Sequence, residues 1–159
     1  MPVNNHTIYM KQALREAKKN LKSKDGGPFG ACIVKKGKVL AIARNKVLKS
    51  DATSHAEINA IRLASKRLKT FDLSGCTIYS TTEPCPMCFS AIHWARISKI
   101  VYGTPIGESR RLGFNELDIS NQRMKTYAKT KVTILAKVLH SECFALLREW
   151  SHLDNKNLY

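Results

Sequence analysis

The chain has 159 residues, 43% of them hydrophobic, which suits one domain (1–159) with a real core and excludes a membrane span, since no run nears roughly 20 apolar residues. Its 27 basic and 12 acidic residues give a net charge of +15, which admits tRNA or another polyanion as partner, although the basic residues are spread from Lys11 to Lys156 without interleaved aromatics. Residues 1–11 hold no apolar leader segment, and Cys32, Cys76 and Cys143 fall inside apolar runs, so buried free thiols in a reducing, cytoplasmic setting are expected rather than a disulfide scaffold.

Taken in order, Met10, Ala13, Leu14, Ala17 and Leu21 predict a helix over residues 8–22, ended by Asp25-Gly26-Gly27-Pro28. Residues 31–34 and 39–43 read as strands joined in a hairpin at Lys36-Gly37. A helix is expected over 54–68, with Thr53 and Ser54 as caps, then a strand over 76–81, a helix over 86–95 and a strand over 99–103. Residues 104–130 are less regular, and a strand at 132–138 and a helix at 141–150 close the chain. This alternation predicts an α/β fold of three layers, a mixed five-stranded sheet with helices on both faces, and a ligand site at strand ends near helix N-termini.

Two short segments carry chemistry. His55-Ala56-Glu57 is followed, after 26 intervening residues, by Pro84-Cys85-Pro86-Met87-Cys88. Cys85 and Cys88 are three apart, so in a first helical turn both thiols point the same way. Pro86 fits that first turn, where its missing N–H costs nothing. The positive end of a helix favours the thiolates that bind metal. One His and two Cys suit tetrahedral Zn²⁺ and leave a fourth position open, with Glu57 placed to handle protons without binding the metal. A redox C-x-x-C would leave His55 and Glu57 without a role, and a zinc ribbon needs a second C-x-x-C that the chain lacks. His6, His93, His140 and His152 are read as ordinary histidines. Phe29 is a core residue by type, yet the Gly26-Gly27-Pro28 turn can present it to a ring. Asn45 ends a strand at the expected mouth, where its amide can read a base edge.

These segments, with Gly26-Gly27-Pro28-Phe29-Gly30-Ala31, Asn45 and Ala91-Ile92-His93-Trp94-Ala95-Arg96, resemble the cytidine deaminase-like superfamily. The likeness is to its branch of guanine deaminases, plant-type guanosine deaminases and tRNA adenosine deaminases. It implies zinc-dependent hydrolytic deamination, with Glu57 carrying protons from water to a ring nitrogen and then to the departing ammonia. Leu112-Gly113-Phe114-Asn115-Glu116 resembles the Gly-Phe-Asp-Asp segment of guanine deaminases, which implies an assisting role for Glu116, with Glu in place of Asp. The resemblance also implies pocket roles for Trp94, the Ala56 backbone and a terminal Tyr159, and a homodimer. Residues 103–108 lack the segment usual in tRNA adenosine deaminases, whereas residues 141–147 resemble their C-terminal helix. The reading is therefore deamination of an aminopurine base or nucleoside, guanine foremost. The alternatives are a tRNA adenosine deaminase and a non-catalytic, zinc-stabilised RNA-binding domain, the latter opposed by an intact Glu57.

Overall fold

The computed structural model describes residues 5–159; residues 1–4, part of the stretch read above for a leader, lie outside the described residues. Two helices, α1 (Asn5–Lys18) and α2 (Asn20–Ser23), precede the hairpin of β1 (Gly30–Lys35) and β2 (Lys38–Arg44). Then follow α3 (Ala56–Leu68), β3 (Cys76–Thr82), α4 (Pro86–Trp94), β4 (Lys99–Thr104), α5 (Ile106–Arg111), α6 (Asn121–Ala128), β5 (Thr133–Leu135) and α7 (His140–Ser151). The strands form one sheet in the order β2-β1-β3-β4-β5. β1 runs antiparallel to β2 and β3, while β3, β4 and β5 are parallel. This is the mixed five-stranded sheet expected from the sequence.

Period-two alternation sorts each strand between two cores. Ile33, Ile78 and Ile100 face one side and pack with Ala56, Ala60 and Ala64 of α3 and with Phe89 and Ile92 of α4. Cys32, Val34, Tyr79 and Val101 face the other side, against Met10, Ala13, Leu14 and Ala17 of α1 and Cys143 and Leu146 of α7. The three-alanine stripe of α3 brings that helix close to the sheet. Glycine does the same for α1, since a Cβ on Gly30 would collide with the Ala13 carbonyl and come within 3.0 Å of the Ala17 side chain.

Four expectations change. The first helix is interrupted at Lys19, because Asn20 turns its side chain fully inward to bond the backbone at Gly27 and Asn45. Residues 104–130 hold two short helices, whose starts are pinned by one buried carboxylate: Glu83 accepts the N–H of Ile106 at 2.9 Å and of Asn121 at 2.7 Å. The last strand shrinks to three residues, since Lys137 and Leu139 take left-handed backbone (φ 63° and 51°) and bend the chain into α7. The caps on α3 also differ. His55 itself is the N-cap, and Ser54 bonds Asn59 instead.

Gly30→Ala should destabilise the protein by about 1–3 kcal/mol, the usual cost of overpacking. Urea unfolding measures it, and an unchanged midpoint would mean that α1 is free to shift off the sheet.

Candidate active site

The starts of α3 and α4 converge at the end of β3. His55 and Cys85 occupy equivalent places, each the N-cap of its helix with extended backbone (ψ 156° and 168°) and no side-chain capping bond. An N-cap normally uses its side chain to satisfy a free N–H, worth about 0.5–2 kcal/mol. Here both side chains are turned toward one another instead. His55 Nδ1 lies 3.6 Å from Cys85 Sγ and 3.6 Å from Cys88 Sγ. Zn–S bonds of about 2.3 Å and a Zn–N bond of about 2.0–2.1 Å, at a tetrahedral angle, set an S···N edge of about 3.6 Å. The three ligand atoms all lie within 4.8 Å of one another, so the residues present fit a zinc ion.

The charges of the site point the same way. The Cys85 thiol is pushed down to about 4, first by its hydrogen bond with Cys88 and then by His55. Cys88 is held well above its ordinary value by burial, with Cys85 and Glu57 adding to the effect. Burial tends to lower the His55 pKa, yet the bond to Cys85 and the charge of Glu57 raise it. Burial raises Glu57 and lifts Glu116 to about 7. Two thiols and two carboxyls thus crowd one desolvated place, which a divalent cation would neutralise.

Above the metal set lies a cavity of about 140 Å³, lined by Phe29, Asn45, His55, Glu57, Thr82, Glu83, Cys85, Phe114, Asn115, Glu116 and Tyr159. Glu57 is buried on α3. Its Oε1 lies 2.8 Å from Ser80 Oγ, and its Oε2 accepts from the Cys88 thiol at 3.5 Å. Glu116 is held by Ser109 Oγ at 3.0 Å. Phe29 meets Phe114 edge to face at 4.9 Å, and Phe114 stacks on Trp150 at 5.0 Å. Asn45 is buried, its Oδ1 accepting from the Val47 N–H at 3.0 Å. Tyr159 is anchored at both ends: its hydroxyl accepts from the Gly27 N–H at 2.9 Å, and its carbonyl from the Asn115 N–H at 3.0 Å.

Seven of the ten sequence-derived candidates therefore line one space, and Cys88 lies beneath it in the ligand set; Ala56 and Trp94 do not line it. Ala56 sits between His55 and Glu57 with its methyl in the core, so only its backbone is near the site. Trp94 does not line this cavity. It is 78% exposed and borders a separate groove with Ile61, Phe71, Ala91 and Ala95. It follows Cys85 by nine residues, about 900° of helix at 3.6 residues per turn, which puts it on the opposite side of α4. The ring facing Phe29 is Phe114 instead. Phe114 and Asn115 lie within the 112–116 segment, whereas Glu83 and Ser80 carry no sequence signal beyond their nearness to Cys85.

Comparison with known proteins agrees with this geometry. The family of the cytidine and deoxycytidylate deaminase zinc-binding region matches residues 3–104. A guanine deaminase of Bacillus subtilis (strain 168) is 36% identical over 98% of this chain and 99% of its own length. A tRNA-specific adenosine deaminase of the same organism is 36% identical over 88% of this chain and 84% of its own. The structure of guanine deaminase from Nitrosomonas europaea superposes with a TM-score of 0.84 at 29% identity, covering 92% of this chain and 85% of that one.

Purified protein should carry one zinc per chain, and Cys85→Ala should lose the metal and melt at lower temperature, because the site ties two helices together. Elemental analysis checks this; full zinc in the variant would contradict the ligand set.

Proposed function

The chain belongs to the cytidine and deoxycytidylate deaminase zinc-binding family, and on that premise we propose that it hydrolyses the amino group of a free aminopurine base, guanine foremost, releasing ammonia. The observation that carries the reading is the cavity above the ligand set. It measures about 140 Å³, and among the described residues no lysine or arginine lines it. Pockets for drug-sized ligands run about 300–1,000 Å³, so this space suits one flat ring system without ribose or phosphate. The guanine deaminases among its relatives support the same base, and the likeness extends along nearly the whole chain.

Zinc, when bound by His55, Cys85 and Cys88, supplies the Lewis acidity that makes water nucleophilic at neutral pH. The chain's own groups do the rest. Phe29 and Phe114 form the apolar wall against the ring. Asn45 has its Oδ1 committed to Val47 and its amide also meets the Tyr159 hydroxyl, which leaves one Nδ2 hydrogen to donate to a base acceptor. The Ala56 N–H, at the first position of α3, has no acceptor within the helix and orients the base. Glu57 takes one proton from the attacking water and gives it to the ring nitrogen as the water's oxygen bonds to the reacting carbon. It then moves the second proton of that oxygen to the amine, which leaves as ammonia while the oxygen becomes the carbonyl. Ser80 serves both states of Glu57. Its hydroxyl reaches Glu57 Oε1 at 2.8 Å and the Thr82 carbonyl at 2.6 Å, so its one proton turns to whichever is the acceptor. Glu116, its pKa raised by burial to about 7, lines the same cavity and assists the leaving amine.

The whole chain, 1–159, is proposed to act as one catalytic domain, paired in a homodimer as the resemblance implies. The exposed Trp94 and Phe71 give a second copy an apolar surface. Among the described residues no helix is long and apolar enough to cross a membrane. The free thiols Cys32, Cys76 and Cys143, all buried, support the cytoplasmic setting proposed from the sequence. The second reading, a tRNA adenosine deaminase, is favoured by the net charge of +15.

Glu57→Gln should keep its zinc and lose at least about 10²-fold in turnover. Glu116→Ala should cost about 10²-fold, and removal of Tyr159 a similar factor, the order expected when a reacting group is misplaced. Raising salt from about 50 to 200 mM should leave kcat/KM on guanine nearly unchanged. A polynucleotide held by 6–10 phosphate contacts would instead lose about 10³–10⁵ in affinity. Salt-sensitive conversion of tRNA adenosine to inosine, with no ammonia from guanine, would favour the second reading.

A further inference from the structure

Asn20 lies behind the cavity wall, fully buried, and does not line the space itself. Its carboxamide makes all four hydrogen bonds open to it. Nδ2 donates to the Gly27 carbonyl and to the Asn45 carbonyl, each at 2.8 Å. Oδ1 accepts from Ser23 Oγ at 3.0 Å and from Arg44 Nε at 3.1 Å. Two donors on one side and two carbonyls on the other fix which way the amide points. Arg44 is itself held by Glu16 at 2.7 Å and Asp25 at 2.9 Å, so the clamp is anchored to α1 and to the loop before β1.

The two carbonyls belong to the two sides of the pocket. Asn45 presents its side chain to the cavity. Gly27 donates its N–H to the Tyr159 hydroxyl at 2.9 Å, while its carbonyl also takes the Phe29 N–H at 2.8 Å. A Cβ on Gly27 would come within 2.5 Å of the Phe29 ring and 2.9 Å of the Tyr159 hydroxyl, so this backbone is packed directly against both residues. One amide thus spans the Asn45 wall and the Gly27 turn on which Phe29 and Tyr159 rest.

We propose that Asn20 is a positioning residue that sets the spacing between Asn45 and the seat of Tyr159, and thereby the fit of the base. The kinetic part rests on the deaminase reading above; the seating of Tyr159 does not. Losing the two donors leaves the Asn45 carbonyl without this partner and the Gly27 carbonyl with the Phe29 N–H alone, and lets the walls separate. Asn20→Asp is the sharper variant, because it keeps the shape but sets a carboxylate oxygen against both carbonyls.

The test compares wild type, N20A and N20D after matching zinc content. Expected is a KM for guanine raised about tenfold or more, with kcat per zinc changed far less. Hydrogen exchange at the Gly27 N–H, which the Tyr159 hydroxyl accepts, reads Tyr159 release from its seat and should be at least tenfold faster in the variants at a temperature where all remain folded. A role in folding alone would lower the melting temperature and leave both KM and Tyr159 release unchanged, and that result would overturn the proposal. Should N20D not fold, N20S keeps one donor and carries the same two readouts. If wild type itself releases no ammonia from guanine, the deaminase reading falls by itself, and Tyr159 release alone decides whether Asn20 holds that seat.

Discussion

The meeting of two helix starts at one point governs the rest of the structure. His55 and Cys85 stand at N-cap positions without capping their helices, and both turn inward with Cys88 to a spacing of 3.6 Å between nitrogen and each sulfur. The lost caps destabilise both helix ends, and a metal ion that bridges them offsets the loss. The positive ends of two helix dipoles face the same point, which favours thiolate at Cys85. The sheet makes the meeting possible, since β3 leads into α4 while α3 packs across β2 and β1 on the same face.

Outward from the ligands, the site is closed by segments remote in sequence. Glu83, one strand-end residue, holds the first N–H of both α5 and α6, which fixes the loop carrying Phe114 and Glu116. The chain terminus then lies against that loop, with Tyr159 bonded to Asn115 on one side and Gly27 on the other. At Gly113 (φ 106°) an added Cβ would also come within 2.9 Å of Leu158, so glycine there admits the terminus. The result is a small cavity walled by carboxyls and aromatic rings, with the chain's positive charge kept elsewhere.

Much of this was legible from the residues. Apolar runs mark all five strands, because β1, β3 and β4 are buried along nearly their whole length between two helix layers and the edge strands β2 and β5 are partly so. The ligand set was legible because metal chemistry demands particular atoms at particular spacing. Less regular stretches failed for physical reasons. α5 has only six residues and α6 is mostly polar, with Met124 packed against the core, so neither shows a clear apolar stripe. The break after Lys18 is invisible to periodicity, because Leu21 still faces the α1 core while Asn20 is drawn away by distant carbonyls. Resemblance points Trp94 to the pocket, whereas the helical angle from Cys85 sets it on the outer face.

The central claim is that a zinc site beneath a base-sized cavity selects a free purine. It is tested most directly by measuring ammonia release, or inosine in tRNA, from equal amounts of guanine, guanosine, adenine, cytosine and tRNA with the zinc-loaded protein. The account predicts guanine as the preferred substrate by at least an order of magnitude in kcat/KM. Preference for tRNA, or turnover of none of the five by fully zinc-loaded protein, would contradict it.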